Sequence, residues 1–423
     1  MPIATAPVDA RFARGQAIAD TMKLTRQQVT YGEYWLVPSC VQGQYAVHIK
    51  QGVTTCSCPD FDTRQLPCKH IHAVQITKTR QQNPDGSVTE TTTVTEEKRY
   101  YPQCWKAYNK AQSVEHDRVQ VLLADLCAGI EEPARDTSKK GRKPHTLRDR
   151  LFAVVFKAYS TVSSRRFSCD LKEAHARGHV SKEIPGLKVP QFFEDEALTP
   201  ILTQLVHASA LPLASVEANF AVDSTGFGTC RYESWIDAKY GAPRRKAVWV
   251  KCHAIVGTRT HVVAAARLTD KDSHDSPHFA PLLAEARKGF DIKEVSADKG
   301  YESYANFAAV EAIGAEPFIA FRALATGKKG GAFERAFHYF SFMRQEYLAH
   351  YHKRSNVESV FSAVKRKFGG EVRSKTDTAM KNEVLAKLVA HNLCCLIQEQ
   401  HELGIEPLFW KDAAPAATAL LAV

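Results

Sequence analysis

A mixed α/β sheet flanked by helices, preceded by a helical region and a small Cys/His-centred β/α module, is predicted by three features of the 423-residue chain. From Val216 onward, β-rich runs alternate with helical segments, the texture of strands and helices layered on one sheet. Within LRDRLFAVVFKAYS, residues Leu147, Leu151, Val154, Val155 and Ala158 recur at three-and-four spacing, the mark of a helix with one buried face. Ahead of both, three cysteines and a histidine cluster in CSCPDFDTRQLPCKH, directly after a segment of alternating apolar residues.

Composition bounds what such a chain does. Apolar residues make up 44% and charged residues 24%, ordinary values that exclude wholesale disorder. At roughly 150 residues per domain, the length suits about three domains. No run of about 18 apolar residues occurs, which argues against a transmembrane helix. The stretch MPIATAPVDARFARGQ lacks the apolar core of a signal peptide, so a cytoplasmic location is expected.

Residues 1–30 are polar and aperiodic and read as a flexible arm. From Tyr34 to Thr55, the alternation in QYAVHIK and a glycine-containing turn predict a short antiparallel ribbon. Residues 78–100, rich in Thr, Gln and Glu around Asn83-Pro84-Asp85-Gly86, fit either a projecting hairpin or a linker. A helix is predicted through WKAYNKAQSVEHDRVQVLLADLCAGI, stopping near Gly129, and others through LRDRLFAVVFKAYS and LTPILTQLVHASA. EANFAVDSTGF reads as a strand ending in a polar loop. KAVWVKCHAIVG and HVVAAARLT are strands joined by a Gly257-Thr258-Arg259 hairpin. SPHFAPLLAEARKG follows as a helix, with Ser276 as cap, Pro277 and Pro281 in the first turn and Gly289 as stop. IKEVSAD and AEPFIAF supply two further strands around an intervening helix.

The Cys/His cluster has the arithmetic of a metal site. Cys56 and Cys58 form a C-x-C knuckle, and Cys68 and His70 follow at the start of a predicted short helix. Three sulfurs and one imidazole fill a tetrahedral zinc shell, which leaves no open position for catalysis. His72 is an alternative ligand, two residues on. The other eight cysteines (Cys40, Cys104, Cys127, Cys169, Cys230, Cys252, Cys394 and Cys395) have no ligand spacing and read as small buried hydrophobes.

Three carboxylates form the second constellation. Asp223 ends the predicted strand NFAV, and Asp298 ends EVSA before Lys299-Gly300; taken alone, each also fits a strand-end turn. On a helix, Tyr351, Arg354, Glu358 and Lys365 share one stripe roughly 60° wide. Val357, Val360, Phe361, Val364 and Phe368 occupy the adjoining face. Such a helix buries its apolar side on a sheet and aims a carboxylate along the rim. Two strand-end aspartates and one helix glutamate suit two Mg²⁺ or Mn²⁺ ions clamping a phosphoryl group. His274, Asp275 and His278 offer a metal site or a nuclease histidine, but they sit at a predicted helix N-terminus, where an Asp favours the helix dipole and a structural role is the simpler reading.

Two resemblances rest on these residues. C-S-C-P-D-F with the later P-C-K-H-I resembles the SWIM zinc finger, over about residues 34–76, a module of DNA- and protein-binding proteins. Tyr351-x2-Arg354-x3-Glu358-x6-Lys365 resembles the YREK motif of insertion-sequence DDE transposases. FAVDSTGF and SADKGYES are similar to the segments carrying that family's first and second aspartates, and the likeness spans roughly residues 140–400. It implies an RNase H-like fold, catalytic roles for Asp223, Asp298 and Glu358 with two bound Mg²⁺ ions, and DNA-end contacts for Tyr351, Arg354 and Lys365. Only 60 residues separate Asp298 from Glu358, too few for the large insertion domain of some relatives.

The expected divisions are therefore an arm over 1–30, a SWIM finger over 31–78, a linker or hairpin with a helix over 79–138, a helical DNA-binding region over 139–215, the RNase H-like domain over 216–400 and a tail over 401–423. The partners implied are double-stranded DNA, as element terminal inverted repeats and as target, and further copies of the chain, at the nucleoid. Charge agrees. Lys plus Arg number 56 against 46 Asp plus Glu, and residues 139–150 and 353–375 each carry a local +5 that together equals the net +10. Clustered cations suit a polyanion, although either patch alone also fits a solvated surface. The function implied is cutting element ends and joining them to target DNA. A catalytically silent, transposon-derived DNA-binding regulator and a nuclease without strand transfer are the alternatives.

Overall fold

A computed structural model describes residues 10–29, 32–38, 44–50, 53–82, 88–90, 104–134, 144–229, 249–328 and 330–410. Outside them lie Cys40, Cys230, most of the 401–423 tail, and Lys139, Lys140, Arg142 and Lys143 of the first basic patch. The chain divides into two units, Met1–Tyr101 and Pro102–Val423.

In the first unit, β1 (Thr25–Val29), β2 (Gly32–Pro38), β3 (Gln44–Lys50) and β4 (Val53–Cys56) form one antiparallel sheet in that order. Period-two alternation sends Trp35, Val37, Val47 and Cys56 to one face, where they bury against Ile71 and Val74. Those two belong to α3 (Lys69–Thr79), which follows the short α2 (Pro59–Arg64). The reading of residues 1–30 as a flexible arm is corrected here: Ala10–Thr21 form α1, and Thr25–Val29 pair with β2. Ile18 is the anchor, fully buried in this core, with Met22 and Leu24 packed beside it. So few apolar positions give no readable period. Gly15 lets α1 and α3 approach, since a Cβ there would lie 2.7 Å from the His72 Cβ. Arg80–Gln82 and Val88–Glu90 (β5 and β6) pair antiparallel, and Asn83-Pro84-Asp85-Gly86 between them lie outside the described residues.

In the second unit, the sheet runs β11-β10-β7-β8-β9. Its strands are β7 (Asn219–Gly228), β8 (Trp249–Gly257), β9 (Val263–Thr269), β10 (Glu294–Ala297) and β11 (Glu316–Ile319). The first three form an antiparallel meander, and the last two lie parallel to β7. This is the RNase H-like mixed sheet. The Gly257-Thr258-Arg259 hairpin is held by buried Glu217, whose Oε2 accepts from Arg259 N at 3.0 Å and Thr260 N at 2.8 Å.

Helices α4 (Trp105–Ala128), α5 (Leu147–Ser160), α6 (Ser164–Ala176), α7 (Val189–Phe193) and α8 (Leu198–Ala210) form the helical region before it. After β9 come α9 (Phe279–Arg287), α10 (Tyr304–Ala312), α11 (Gly331–Phe342), α12 (Arg344–Tyr351), α13 (Ser355–Phe368) and α14 (Asp377–Glu402). Helix α14 is buried on nearly every side and welded polar-to-polar. Its Asn392 Nδ2 donates to Val206 O at 3.0 Å and Val263 O at 2.9 Å, and its Oδ1 accepts from Val263 N at 2.8 Å. That side chain joins α8, α14 and β9 with its capacity satisfied. Among the described residues no helix is long and apolar enough to cross a membrane.

Three local expectations need correcting. Ser276 does not cap: a 3₁₀ turn, Ser276–His278, opens the helix, and the Ser276 hydroxyl instead accepts from Asn306 Nδ2 at 3.0 Å. Cys104 and Cys169 are exposed, whereas Cys127 and Cys252 are buried as read. Cys169 lies on α6 opposite Phe167 and Leu171, which take the inward face. The helix carrying the Tyr351-to-Lys365 stripe is also broken, because His352–Arg354 form a 3₁₀ turn between α12 and α13.

Gly369 ends α13 with φ +88, a left-handed conformation costly for other residues. The strap that follows pairs with the end of β7: Gly228 N donates to Gly370 O at 3.2 Å and Val372 N to Gly228 O at 2.7 Å. From below, Lys387 Nζ donates to Gly369 O at 3.1 Å and Glu371 O at 2.8 Å, and Glu383 accepts from Arg373 N and Ser374 N. Lys387 and Glu383 form an ion pair at 3.3 Å with side chains only 3% and 10% exposed. Breaking such a buried pair from one side leaves an uncompensated charge, so Lys387→Met should destabilise the second unit by about 3 kcal/mol in urea unfolding. A loss near zero would mean that water reaches the strap.

Candidate functional site

The zinc knuckle assembles as its spacing requires. Cys56 ends β4, Cys58 precedes α2, and Cys68 and His70 open α3. One ligand atom from each lies within 4.8 Å of the others, and all four residues are buried. The imidazole turns Nδ1 toward the sulfurs, 3.8 Å from both Cys56 Sγ and Cys68 Sγ. Backbone N–H groups point at the sulfurs, Phe61 N reaching Cys58 Sγ at 3.4 Å. The Cys56 thiol, aided by further N–H donors, pulls Cys68 down to about 3, while the Cys68 thiolate and burial push Cys56 up. Buried thiols competing for one proton are the donor set that zinc satisfies, so the residues fit a structural zinc. His72 is not among them; it lies against α1, its ring 5.6 Å from Phe12.

The carboxylates meet through backbone register. Val222 of β7 pairs with Ala297 of parallel β10, so the next residues, Asp223 and Asp298, stand side by side at one edge. Parallel neighbours lie about 4.8 Å apart. Asp298 also makes the turn its sequence suggests, accepting from Gly300 N at 2.8 Å. Glu358 arrives from the first turn of α13, whose Val357, Val360, Phe361, Val364 and Phe368 are buried on the sheet as their spacing predicts. Arg354 stands between the two elements. It donates to Asp223 Oδ2 at 3.1 Å and to Glu358 Oε1 at 2.7 Å.

Burial drives the electrostatics of this cleft. It raises Asp223 to about 6, and the neighbouring Asp298 and Glu358 add to the rise against Ser224 N–H and Arg354. Tyr351, at the end of α12, is raised by burial while Arg354 within hydrogen-bonding reach opposes it. Lys365 Nζ donates to Thr225 Oγ1 at 2.6 Å and lies 5.5 Å from the Phe227 ring centre. Asp223, Thr225, Glu358, Lys365 and Arg366 line one open cleft. All six residues of the two motifs thus come to one edge of the sheet, although the three carboxylates do not converge as the zinc ligands do, since Arg354 fills the gap. An all-oxygen donor set with a raised carboxyl fits a hard divalent cation.

Two supports go beyond the motifs, although the sequence singles out Asp275 and His278 of the second. Glu115 of α4 takes Lys367 Nζ at 2.7 and 2.6 Å and Tyr159 OH at 2.9 Å, tying α4 and α5 to α13. Behind β7, Asp275 pairs with Lys251 Nζ at 2.8 Å and His253 Nδ1 at 3.3 Å, and the His253 ring lies 4.3 Å from that of His278. The second had a signal: Lys251 and His253 alternate with apolar residues inside WVKCHAIV. Glu115 had none.

Comparison with protein-family models gives two matches. Residues 215–393 match the transposase DDE domain, and residues 45–77 match the SWIM zinc finger. Each motif lies inside its matched segment, so the chain carries a transposase DDE domain over residues 215–393 and a SWIM zinc finger ahead of it.

Proposed function

We propose that this transposase cleaves element ends and joins them to target DNA by two-metal phosphoryl transfer at Asp223, Asp298 and Glu358. The observation that carries the reading is the strand register that sets Asp298 beside Asp223, with Glu358 tied to Asp223 through Arg354. Two Mg²⁺ or Mn²⁺ ions held there supply Lewis-acid stabilisation of the attacking and leaving oxygens. Asp223 and Asp298 hold their side of the site on rigid strands, and Glu358 closes it from α13. Arg354 balances the carboxylates when the cleft is otherwise empty and turns its charge to phosphate when DNA enters. Lys365, held by Thr225, points a second cation at the backbone, and Tyr351 orients the terminal nucleotide. The finger over 31–78 and the helical region over 139–215 grip the duplex, and 216–400 carry out the chemistry, in a homo-oligomer acting on nucleoid DNA in the cytoplasm.

The test uses labelled duplexes cut from the DNA on either side of the gene, where the reading expects terminal inverted repeats. Incubated with the full chain and Mg²⁺, the label should move into a target plasmid. Cleavage without joining would reduce the protein to a nuclease. Binding with neither reaction would leave a DNA-binding regulator.

A further inference from the structure

We infer that a second phosphate-binding surface, formed by the α5–α6 turn and the strap after α13, continues the cleft and carries the DNA duplex away from the cutting site. The inference rests on the transposase reading and adds to it a set of cations outside both motifs. Lys365 and Arg366 line the acidic cleft together with Gly370. Three residues further along the strap, Arg373 lines a separate cavity with Thr161, Ser163 and Ser164 of the α5–α6 turn. Arg373 Nη1 donates to Thr161 O at 2.8 Å, which joins the two segments. Arg165 and Arg166, in the first turn of α6, stand exposed beside them, as does Lys375.

Charge complementarity selects the partner. Among the described residues, no carboxylate forms an ion pair with Arg165, Arg166, Arg366, Arg373 or Lys375, whereas the exposed Lys288 and Lys293 are each paired, to Glu285 and Asp291. Uncompensated exposed cations on two segments repel one another and favour a polyanion. The scale fits as well. From Glu358 to Arg366 the helix rises about 12 Å, roughly three to four phosphate steps of one DNA strand. The backbone of this surface is fixed beforehand. Lys387 and Glu383 saturate the strap from beneath, so Arg373 is presented by ordered chain.

The experiment follows duplex binding by the full chain through fluorescence anisotropy, with a random 30-base-pair DNA, across roughly 50–200 mM salt. Each lost phosphate contact should reduce the log–log salt slope by about 0.9. The triple variant Arg165→Ala, Arg166→Ala, Arg373→Ala should flatten the slope by about 2.7. The corresponding lysine triple should keep it, because charge rather than shape is at work. Lys288→Ala with Lys293→Ala serves as the control for net charge. A slope unchanged in the alanine triple, or flattened equally by the control, overturns this surface while leaving the transposase reading standing. Failure of the unaltered protein to bind duplex DNA overturns both.

Discussion

Asp223→Asn, Asp298→Asn and Glu358→Gln should each lower end cleavage and strand transfer on the order of 10³-fold or more. The amides keep the size and hydrogen-bonding shape of the acids and remove the negative charge that a divalent cation needs. The double and triple variants should be little worse than the singles, since the three groups act as one unit. Asp223 gives a second readout. Its native carboxyl is raised to about 6 from an ordinary 3.8, chiefly by burial. The folded chain therefore holds that proton more tightly than the unfolded chain between those values, and stability falls as pH rises through the window. Asp223→Asn should abolish that slope and leave the metal-free protein at least as stable at neutral pH. In the unaltered protein, affinity for Mg²⁺ should weaken as pH falls through about 6, where the proton competes for Asp223. Cleavage near the unaltered rate in any one variant would sink the mechanism.

Loss of the zinc is expected to unfold the first unit and spare the second. Metal binding at such a knuckle is worth about 10–16 kcal/mol, more than a small sheet with three helices contributes alone. Without metal, Cys56, Cys58 and Cys68 compete for protons in a buried space, and the N–H groups aimed at them lose their purpose. Chelation, or Cys68→Ala, should release about one zinc per chain and expose the backbone of Val47 and Trp35 to hydrogen exchange. The exchange of Val222 and Ala297 should not change. Native protection of Val47 in metal-free protein would show that the knuckle is ornamental to folding.

The elements that the sequence makes legible are those with a strong period or a fixed ligand count. Val357, Val360, Phe361, Val364 and Phe368 are all buried because a helix of that spacing has one place to put them. The zinc ligands are legible for a similar reason: a C-x-C and a C-x-H supply a full tetrahedral set, and only the choice of His70 over His72 needed the structure. What escapes is set by tertiary contact. Helix α1 depends on Ile18 and on the small volume of Gly15, neither of which makes a pattern. The turn at His352–Arg354 interrupts a stripe that reads as continuous, yet Arg354 still reaches Asp223 and Glu358. That Arg354 bridges two acids from different elements is invisible in a one-dimensional pattern, where it shows only an i,i+4 neighbour.

The pairing of Val222 with Ala297 has a consequence for how this chain tolerates changes of length. Adding or deleting one residue inside Glu294–Ala297 slides β10 against β7 and turns Asp298 to the opposite face of the sheet. No side-chain substitution elsewhere restores it. The segments between strands are under no such constraint. The 18 residues from Asp298 to Ala315 pass through α10 and lead into β11 without touching that alignment. Natural or engineered insertions should therefore accumulate at Gly314, a left-handed turn with open space around it, and be absent from the eight positions that β7 and β10 share in register.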